Sequence, residues 1–279
     1  MIAHAAKAHR ERPWLLLLPV VAFLGVFFLV PLGQVVASSV TEPELTLAHY
    51  REFFSDGFYL LVLGRTFATA LLVTLACLVL GYPLAYAAVR REGTIALVML
   101  TLITLSLWTN FLVRTYAWMV ILGNRGPVSA AFRALGVVPP PEILFTRVAS
   151  TLGMVHILLP FMVMALYAVM RRIDPAYLRA AQGLGAPPRA AFRHVFLPLS
   201  APGIVNGCTI VFILCLGFYV TPVLLGSPRE QMLAGLIGRQ IEELLDFGQA
   251  SAMAVVLLAA TLGLFWIYNR FVGIDKLWG

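Results

Sequence analysis

Six long apolar stretches, separated by short polar segments, make up most of the chain. Each is long enough to cross a bilayer, which takes about 20 residues of helix. No alternation of apolar and polar positions with a period of two competes with them, so the pattern predicts helices and not a membrane β-barrel. We therefore predict an all-α polytopic membrane protein with a single transmembrane domain over residues 1–279. The predicted spans are residues 14–40, 60–89, 94–122, 148–170, 200–226 and 247–270.

The composition agrees with lipid as the solvent for most of the chain. Hydrophobic residues make up 61% of the sequence and charged residues 12%, whereas a soluble domain averages about 25% charged residues. The net charge of +7 comes from basic residues in the segments between apolar stretches, which points to membrane topology and not to nucleic acid. Neither Lys7 nor Lys276 follows a G-x-x-x-x-G pattern, so no nucleotide-binding loop is predicted.

The distribution of basic residues predicts which side of the membrane each segment faces. If both termini are cytoplasmic, the inner segments hold twelve Lys and Arg residues and the outer loops hold six. Basic residues concentrate in cytoplasmic segments, so this arrangement is favoured. The stretch 14–40 is too long for the apolar part of a signal peptide and is interpreted as a retained first helix.

One inner segment, residues 173–199, is much longer than the other inner loops. Its local signals predict a helix, a glycine break and a second helix. Arg189 and Arg193 are four residues apart and share a helix face. From composition alone, the segment could equally be an amphipathic loop resting on anionic lipid headgroups. The signals are the N-cap pair Asp174 and Pro175, Gly185 as a left-handed helix end, the helix starters Pro187 and Pro188, and the closing residue Pro198.

The spacing of this segment resembles a signature in the permease subunits of ATP-driven importers. That signature is Glu-Ala-Ala, three residues, Gly, nine residues, Ile, one residue and Leu-Pro. The matching positions here are Arg179 in place of Glu, Ala180, Ala181, Gly185, Val195 in place of Ile, Leu197 and Pro198.

The resemblance implies that residues 173–199 form the coupling loop of an ABC importer permease of the first type, between the fourth and fifth spans. A short helix around Gly185 would then dock in a cleft of a separate ATPase subunit. Arg179 puts in doubt any contact that the family assigns to the glutamate. The residues expected to couple to the ATPase are Arg179, Ala180, Ala181, Gly185, Arg189, Arg193 and Pro198.

Two further stretches, residues 106–136 and 217–237, are similar to the permeases of spermidine/putrescine importers. Relatives in this group also handle aminophosphonates, opines and ferric iron. The resemblance implies a non-catalytic subunit in the bacterial inner membrane, with lipid around it. Its expected partners are a second homologous permease, two ATPase copies that carry ATP and Mg, and a periplasmic solute-binding protein. No cofactor, metal or nucleic acid is expected on this chain.

Polar and aromatic residues within the spans are the candidates for a solute pathway, because polar groups are costly in a bilayer. No Asp or Glu lies inside a predicted span, so a cationic solute would have to rely on aromatic faces. Two accounts remain open: the solute passes with little affinity, or it carries an anionic group that Arg114 contacts. A third reading has Arg114 paired with carbonyl groups between helices, and a lone His156 is expected to be a packing residue. The pathway candidates are Trp108, Asn110, Arg114, Tyr116, Trp118, Tyr219 and Thr221.

Two other functional classes fit the sequence less well. An ion-coupled secondary transporter normally needs carboxylates within the membrane, and the predicted spans have none. A membrane-embedded enzyme would need a metal-binding or nucleophilic motif such as H-E-x-x-H, and the sequence contains none.

The charge distribution predicts six spans with both termini in the cytoplasm. Reporter fusions after Arg91 and after Arg193 should therefore report the cytoplasm, and fusions near Asp56 and Pro140 should report the outside. A cytoplasmic signal from the fusion at Pro140 would contradict this topology.

Overall fold

Helices account for all of the regular structure in the part of the chain that is described. The structure is a computed structural model that describes residues 14–272 except Pro43 and Glu92, with side chains for residues 17–266 and for Arg270. The α-helices are α1 (Trp14–Leu24), α2 (Val30–Thr41), α3 (Ala48–Ser55), α4 (Gly57–Arg90), α5 (Thr94–Trp108), α6 (Phe111–Leu122), α7 (Pro127–Ala134), α8 (Arg147–Met170), α9 (Pro175–Gly183), α10 (Pro188–Ala191), α11 (Leu197–Leu216), α12 (Val220–Leu225), α13 (Leu233–Arg239) and α14 (Phe247–Val272).

The prediction of membrane-spanning helices is confirmed, but one of the six predicted spans is a bent pair of helices and not a straight helix. Within the described residues, five helical runs are long and apolar enough to cross a bilayer, and a bent pair can supply a sixth. The basic residues Lys7, Arg10, Arg12 and Lys276, on which the prediction for the termini depends, lie outside the described residues. The five runs are Leu17–Thr41, Gly57–Arg90, Arg147–Met170, Pro188–Leu216 and Phe247–Trp266.

The predicted third span, residues 94–122, is not one helix. Thr94–Trp108 and Phe111–Ala134 meet at an angle of 99°. Thr109 and Asn110 are extended, with ψ angles of 132° and 135°, and the Asn110 side chain accepts a hydrogen bond from the Leu112 N–H at 2.8 Å. This N-cap starts a new helix and replaces part of the hydrogen bonding that the break removes.

The helices that contain the predicted fifth span, residues 200–226, have different limits from that span. Helix runs without interruption from Pro188 to Leu216, so Pro198 lies inside a helix and does not close the preceding segment. A break at residues 217–219 then separates α11 from α12.

A π-helical turn explains how Pro198 fits inside a continuous helix. A proline ring clashes with the carbonyl four residues earlier and supplies no N–H. In the turn Phe192–Phe196, the Leu197 N–H bonds to the Phe192 carbonyl five residues back, which widens the helix ahead of the proline. The turn Gly25–Leu29 precedes Pro31 in the same way and joins α1 to α2.

The core of the bundle is the packing of α4, α8 and α11 around Met162, which is fully buried. Two glycines let the neighbouring helices approach this side chain. A β-carbon at Gly207 of α11 would lie 2.6 Å from the Met162 sulfur, and one at Gly81 of α4 would lie 2.9 Å from its Cγ. Small residues at such crossings are how membrane helices gain close van der Waals contact.

The outer segments are tied to the bundle by hydrogen bonds to side chains. The Leu233 N–H donates to the buried Thr66 hydroxyl at 2.8 Å, and the Arg65 guanidinium donates to the Arg229 carbonyl. The end of α2 meets the start of α14 through His49, whose ring nitrogens lie 2.8 Å from the Glu42 carbonyl and 3.1 Å from the Gln249 side-chain oxygen.

The close approach at Gly207 should make the bundle sensitive to added volume there. We expect Gly207→Val to destabilise the protein by about 1–3 kcal/mol, because the extra carbons would displace Met162 and separate α8 from α11. Thermal denaturation of the purified protein in detergent should show a lower Tm.

The matched control is Gly64→Val on α4, because no atom lies within 4 Å of a β-carbon built at that position. Its Tm should stay near that of the parent. Equal Tm values for the two variants would contradict the packing described around Met162.

Candidate functional site

The inner segment between α8 and α11 has the helix–turn–helix form that the sequence predicts. The Asp174 carboxylate accepts a hydrogen bond from the Ala176 N–H at 2.8 Å, and Pro175 is the first residue of α9. Gly185 has a φ of +91°, a region that favours glycine. After it, Pro187 is the N-cap of α10 and Pro188 its first residue. The predicted N-cap pair, the left-handed glycine and the helix start at Pro187 and Pro188 are therefore confirmed, whereas Pro198 does not end the segment.

Two backbone hydrogen bonds fix the turn after α9. The Gly185 N–H donates to the Gln182 carbonyl at 3.0 Å, and the Ala186 N–H donates to the Ala181 carbonyl at 3.1 Å. This pair of bonds, with a left-handed residue between them, is the Schellman arrangement. The direction of the chain after α9 is thus determined by backbone geometry at Gly185.

The tip of this segment exposes an apolar side chain on the predicted cytoplasmic side. Leu184 is 91% exposed, and Tyr177 is also exposed. No atom lies within 4 Å of a β-carbon built at Gly185. The tip therefore leaves open space into which a partner surface could approach Leu184 and Gly185.

The predicted coupling residues are distributed around this tip. Ala181 is half-buried, and the other predicted residues are exposed. The three arginines make no ion pair within the described part of the chain. The exposed members are Arg179, Ala180, Gly185, Arg189, Arg193 and Pro198.

The candidate pathway residues gather around the two helix breaks. Trp108 ends α5 and is 88% exposed, and Asn110 caps α6. Tyr219, also exposed, immediately precedes α12. Thr221 is fully buried, and its hydroxyl lies 3.2 Å from that of Thr115. The two broken helices are therefore joined side by side by a threonine pair, of which sequence reasoning had found only Thr221.

Arg114 and Trp118 of α6 follow the N-cap Asn110 at intervals of four residues and lie on one face of the helix. The Trp118 indole N–H donates to His156 Nδ1 at 2.9 Å, and the two rings meet edge to face at 5.9 Å. His156 Nδ1 is an acceptor in this bond, so a neutral His156 carries its proton on Nε2. His156 is therefore a packing residue, as expected, and it attaches α6 to α8. Tyr116, by contrast, is exposed on another face.

Arg114 is buried, and two of its guanidinium nitrogens are unpaired among the described residues. Its side chain is only 9% exposed, and Nε and Nη1 are enclosed with no acceptor among the described residues. The expectation that carbonyl groups pair with it is therefore not met for these two nitrogens. An uncompensated buried charge costs several kcal/mol. The arrangement thus favours an anionic group or water supplied from outside this chain.

A cavity of about 310 Å³ lies between α8, α9 and α11 next to the predicted coupling loop. Its polar groups come from Arg172, Tyr177 and Asn206, and its other lining residues are Val169, Ile173, Leu199 and Pro202. None of these three polar residues is among the site residues predicted from the sequence. Among the described residues, no group of three His, Cys, Asp or Glu side chains could hold a metal ion.

Comparison with known proteins gives one matching family. The model of the family described as "Binding-protein-dependent transport system inner membrane component" matches residues 77–273.

Two curated relatives and one solved structure are informative. The spermidine/putrescine transport system permease protein PotB of Salmonella typhimurium (strain SL1344) is 33% identical, over 93% of this chain and 91% of that protein. The putative 2-aminoethylphosphonate transport system permease protein PhnU of Salmonella paratyphi A is 26% identical, over 92% and 91% of the two chains. The crystal structure of a bacterial alginate ABC transporter, in complex with its pentasaccharide-bound periplasmic protein, has a similar chain with a TM-score of 0.78. The identity is 17%, and 94% of this chain and 95% of that chain are covered.

Proposed function

This chain belongs to the family of binding-protein-dependent transport system inner membrane components, and from that premise we propose that it moves a polyamine across the membrane as a permease subunit of an ATP-driven importer. The observation that carries the substrate class is the 33% identity to a spermidine/putrescine permease over 93% of the chain. The exposed Schellman turn at Gly185 supports the ATP-driven mechanism, because it presents a docking surface at the signature spacing.

The proposed importer contains four other subunits. A second, homologous permease completes the membrane domain, two ATPase subunits bind ATP and Mg, and a periplasmic protein delivers the solute. This chain performs no catalysis. Closure of the ATPase dimer would move the loop between α8 and α11, and the unbroken run Pro188–Leu216 would carry that movement towards the break at residues 217–219. Both termini are proposed to be cytoplasmic.

Exposed aromatic side chains at the helix breaks and on α6 suit a polyamine. Trp108, Tyr116 and Tyr219 are all exposed, and aromatic faces attract ammonium groups without a carboxylate. Weak contacts of this kind favour passage, because a pathway must bind its solute loosely enough to release it. Asn110 and the Thr115–Thr221 pair would hold the shape of this region.

A second candidate, a solute with an anionic group, is favoured by Arg114. Its enclosed, unpartnered nitrogens would gain hydrogen bonds from a phosphonate or carboxylate. The relative whose name refers to 2-aminoethylphosphonate covers nearly the same length as the spermidine/putrescine permease. An aminophosphonate would use both the aromatic faces and the guanidinium.

Competition experiments distinguish the two solutes. Uptake by proteoliposomes that contain the complete importer should be reduced by excess spermidine or putrescine and unaffected by 2-aminoethylphosphonate. Inhibition by the phosphonate alone would favour the second candidate, and Arg114→Ala should then weaken uptake at least tenfold, since it removes a charge-assisted contact. Unchanged phosphonate uptake by Arg114→Ala would show that Arg114 is not a solute contact.

The turn at Gly185 should be essential for coupling. A side chain at a φ of +91° costs about 1 kcal/mol or more, and a carboxylate would also obstruct close approach to the ATPase. Gly185→Asp should therefore leave the spans inserted but abolish ATP-driven uptake. Cysteine cross-linking from Leu184→Cys to the ATPase, measured with and without the Gly185 substitution, should show that docking is lost.

Two milder variants separate the backbone effect from the charge. Gly185→Ala should reduce uptake and Gly183→Ala should not, because Gly183 lies in α9 and open space surrounds its β-carbon position. Arg189→Ala and Arg193→Ala should have smaller effects than Gly185→Asp. Normal uptake by Gly185→Asp, with no cross-link from Leu184→Cys, would contradict the proposed docking role.

A further inference from the structure

Four aromatic rings pack together where the loop between α8 and α11 meets the inner end of α4. Tyr82 and Tyr86 come from α4, and Phe192 and Phe196 come from the π-helical turn ahead of α11. We call these four side chains the inner aromatic cluster. The Tyr86 ring lies 5.2 Å from that of Phe192 and 5.0 Å from that of Phe196, both edge to face. The two phenylalanine rings stack at 5.8 Å, and Tyr82 meets Phe192 edge to face at 6.2 Å.

Polar contacts extend the cluster in both directions along α4. Above it, the Tyr82 hydroxyl lies 2.9 Å from that of Ser200 in α11. Below it, the Arg90 guanidinium lies over the Tyr86 ring at 5.7 Å. The inner third of α4 is therefore held to the turn Phe192–Phe196 by directional contacts that specify its position.

Helix α4 has a weak point next to these rings. Pro83 lies inside the helix and has no N–H, so the Val79 carbonyl has no partner at that position in the helix ladder. A helix bends most readily where its ladder is interrupted by proline. Residues 84–90, which carry Tyr86 and Arg90, can therefore tilt relative to the buried outer part of α4.

Between the proposed docking surface and the bundle, the cluster is the first place where aromatic rings of the described residues contact one another. Ala191, the last residue of α10, is buried, as is Phe196, so the turn Phe192–Phe196 is seated in the bundle while Leu184 and Gly185 are exposed. A displacement of the loop by a partner reaches α11 along the chain through this turn. The rings of Phe192 and Phe196 also contact α4, so the same displacement can reach α4 through them.

We propose that the inner aromatic cluster transmits the movement of the coupling loop to α4, with Tyr86 and Phe192 as its positioning residues. The proposal rests on the proposed function, since it requires an ATPase that drives the loop. The inner end of α4, beyond Pro83, then moves together with α11 when the ATPase dimer closes. Without the rings, the loop moves α11 alone, and hydrolysis proceeds with little transport.

The test compares two variants of the cluster with a matched control in the same helix. Tyr86→Leu and Phe192→Leu each remove a ring from the cluster, and Tyr86→Phe removes only a hydroxyl. Phe67→Leu removes a ring from the other aromatic pair between α4 and α11, Phe67–Phe212, whose centroids are 6.1 Å apart. The whole importer, reconstituted with its binding protein, is assayed for solute transported per ATP hydrolysed and for cross-linking of Leu184→Cys to the ATPase.

We expect Tyr86→Leu and Phe192→Leu to retain the cross-link and ATP hydrolysis while the transport-to-hydrolysis ratio falls at least fivefold. Tyr86→Phe and Phe67→Leu should keep the parental ratio.

A parental ratio in both Leu variants would overturn the proposal. An equal fall in Phe67→Leu would also overturn it, because that result would reflect general packing. If one Leu variant does not assemble, the other decides the outcome, and failure of both to assemble would assign the cluster to folding and overturn a transmitting role. A parent complex that shows no ATP-driven uptake would instead reject the proposed function itself.

Discussion

The hydrocarbon interior of a membrane offers no hydrogen bonds to a peptide group, and this constraint governs every irregularity in the bundle. A break in a helix is tolerated only where other groups restore some of the lost bonds. At residues 109–110 the Asn110 side chain does so. Pro31 and Pro198 are accommodated by π-helical turns whose N–H groups reach five residues back. These three departures from regular helix therefore each have a local chemical cause.

The same constraint shows why some features could be predicted from the sequence and others could not. The turn at Gly185 depends on local chemistry, an N-cap, a glycine and two prolines, and the structure has each of these in its expected role. The break at residues 109–110 lies within an apolar stretch, and hydropathy carries no information on whether such a stretch is straight. The Thr115–Thr221 pair and the inner aromatic cluster join residues that are 106 positions or more apart in the chain. Contacts at such separations are decided by packing, and a single sequence does not reveal them.

Within the described part of this chain, two guanidinium nitrogens of Arg114 lack hydrogen-bond acceptors. Two other polar side chains of α6 have partners within the chain, as Trp118 has in His156 and Thr115 in Thr221. The guanidinium differs from them, because two of its nitrogens are enclosed and have no acceptor among the described residues. Evolution rarely retains such a group in a bilayer without a use for it. The electrostatics of the solute pathway must therefore be considered for the assembled importer and not for one subunit.

The π-helical turn Phe192–Phe196 also determines how far the preceding loop is rotated about the axis of α11. One residue advances an α-helix by about 100° around its axis, and a π-helical turn contains about one residue more than the α-helical turn it replaces. If the same residues formed a regular α-helix, all that lies on the inner side of the turn, including Gly185 and Leu184, would be rotated by about 100° about the axis of α11. A homologue that kept every residue but had a regular helix here would have a transmembrane segment of nearly the same length. Its loop would point in a different direction around the helix axis, so the turn determines which way the proposed docking surface faces.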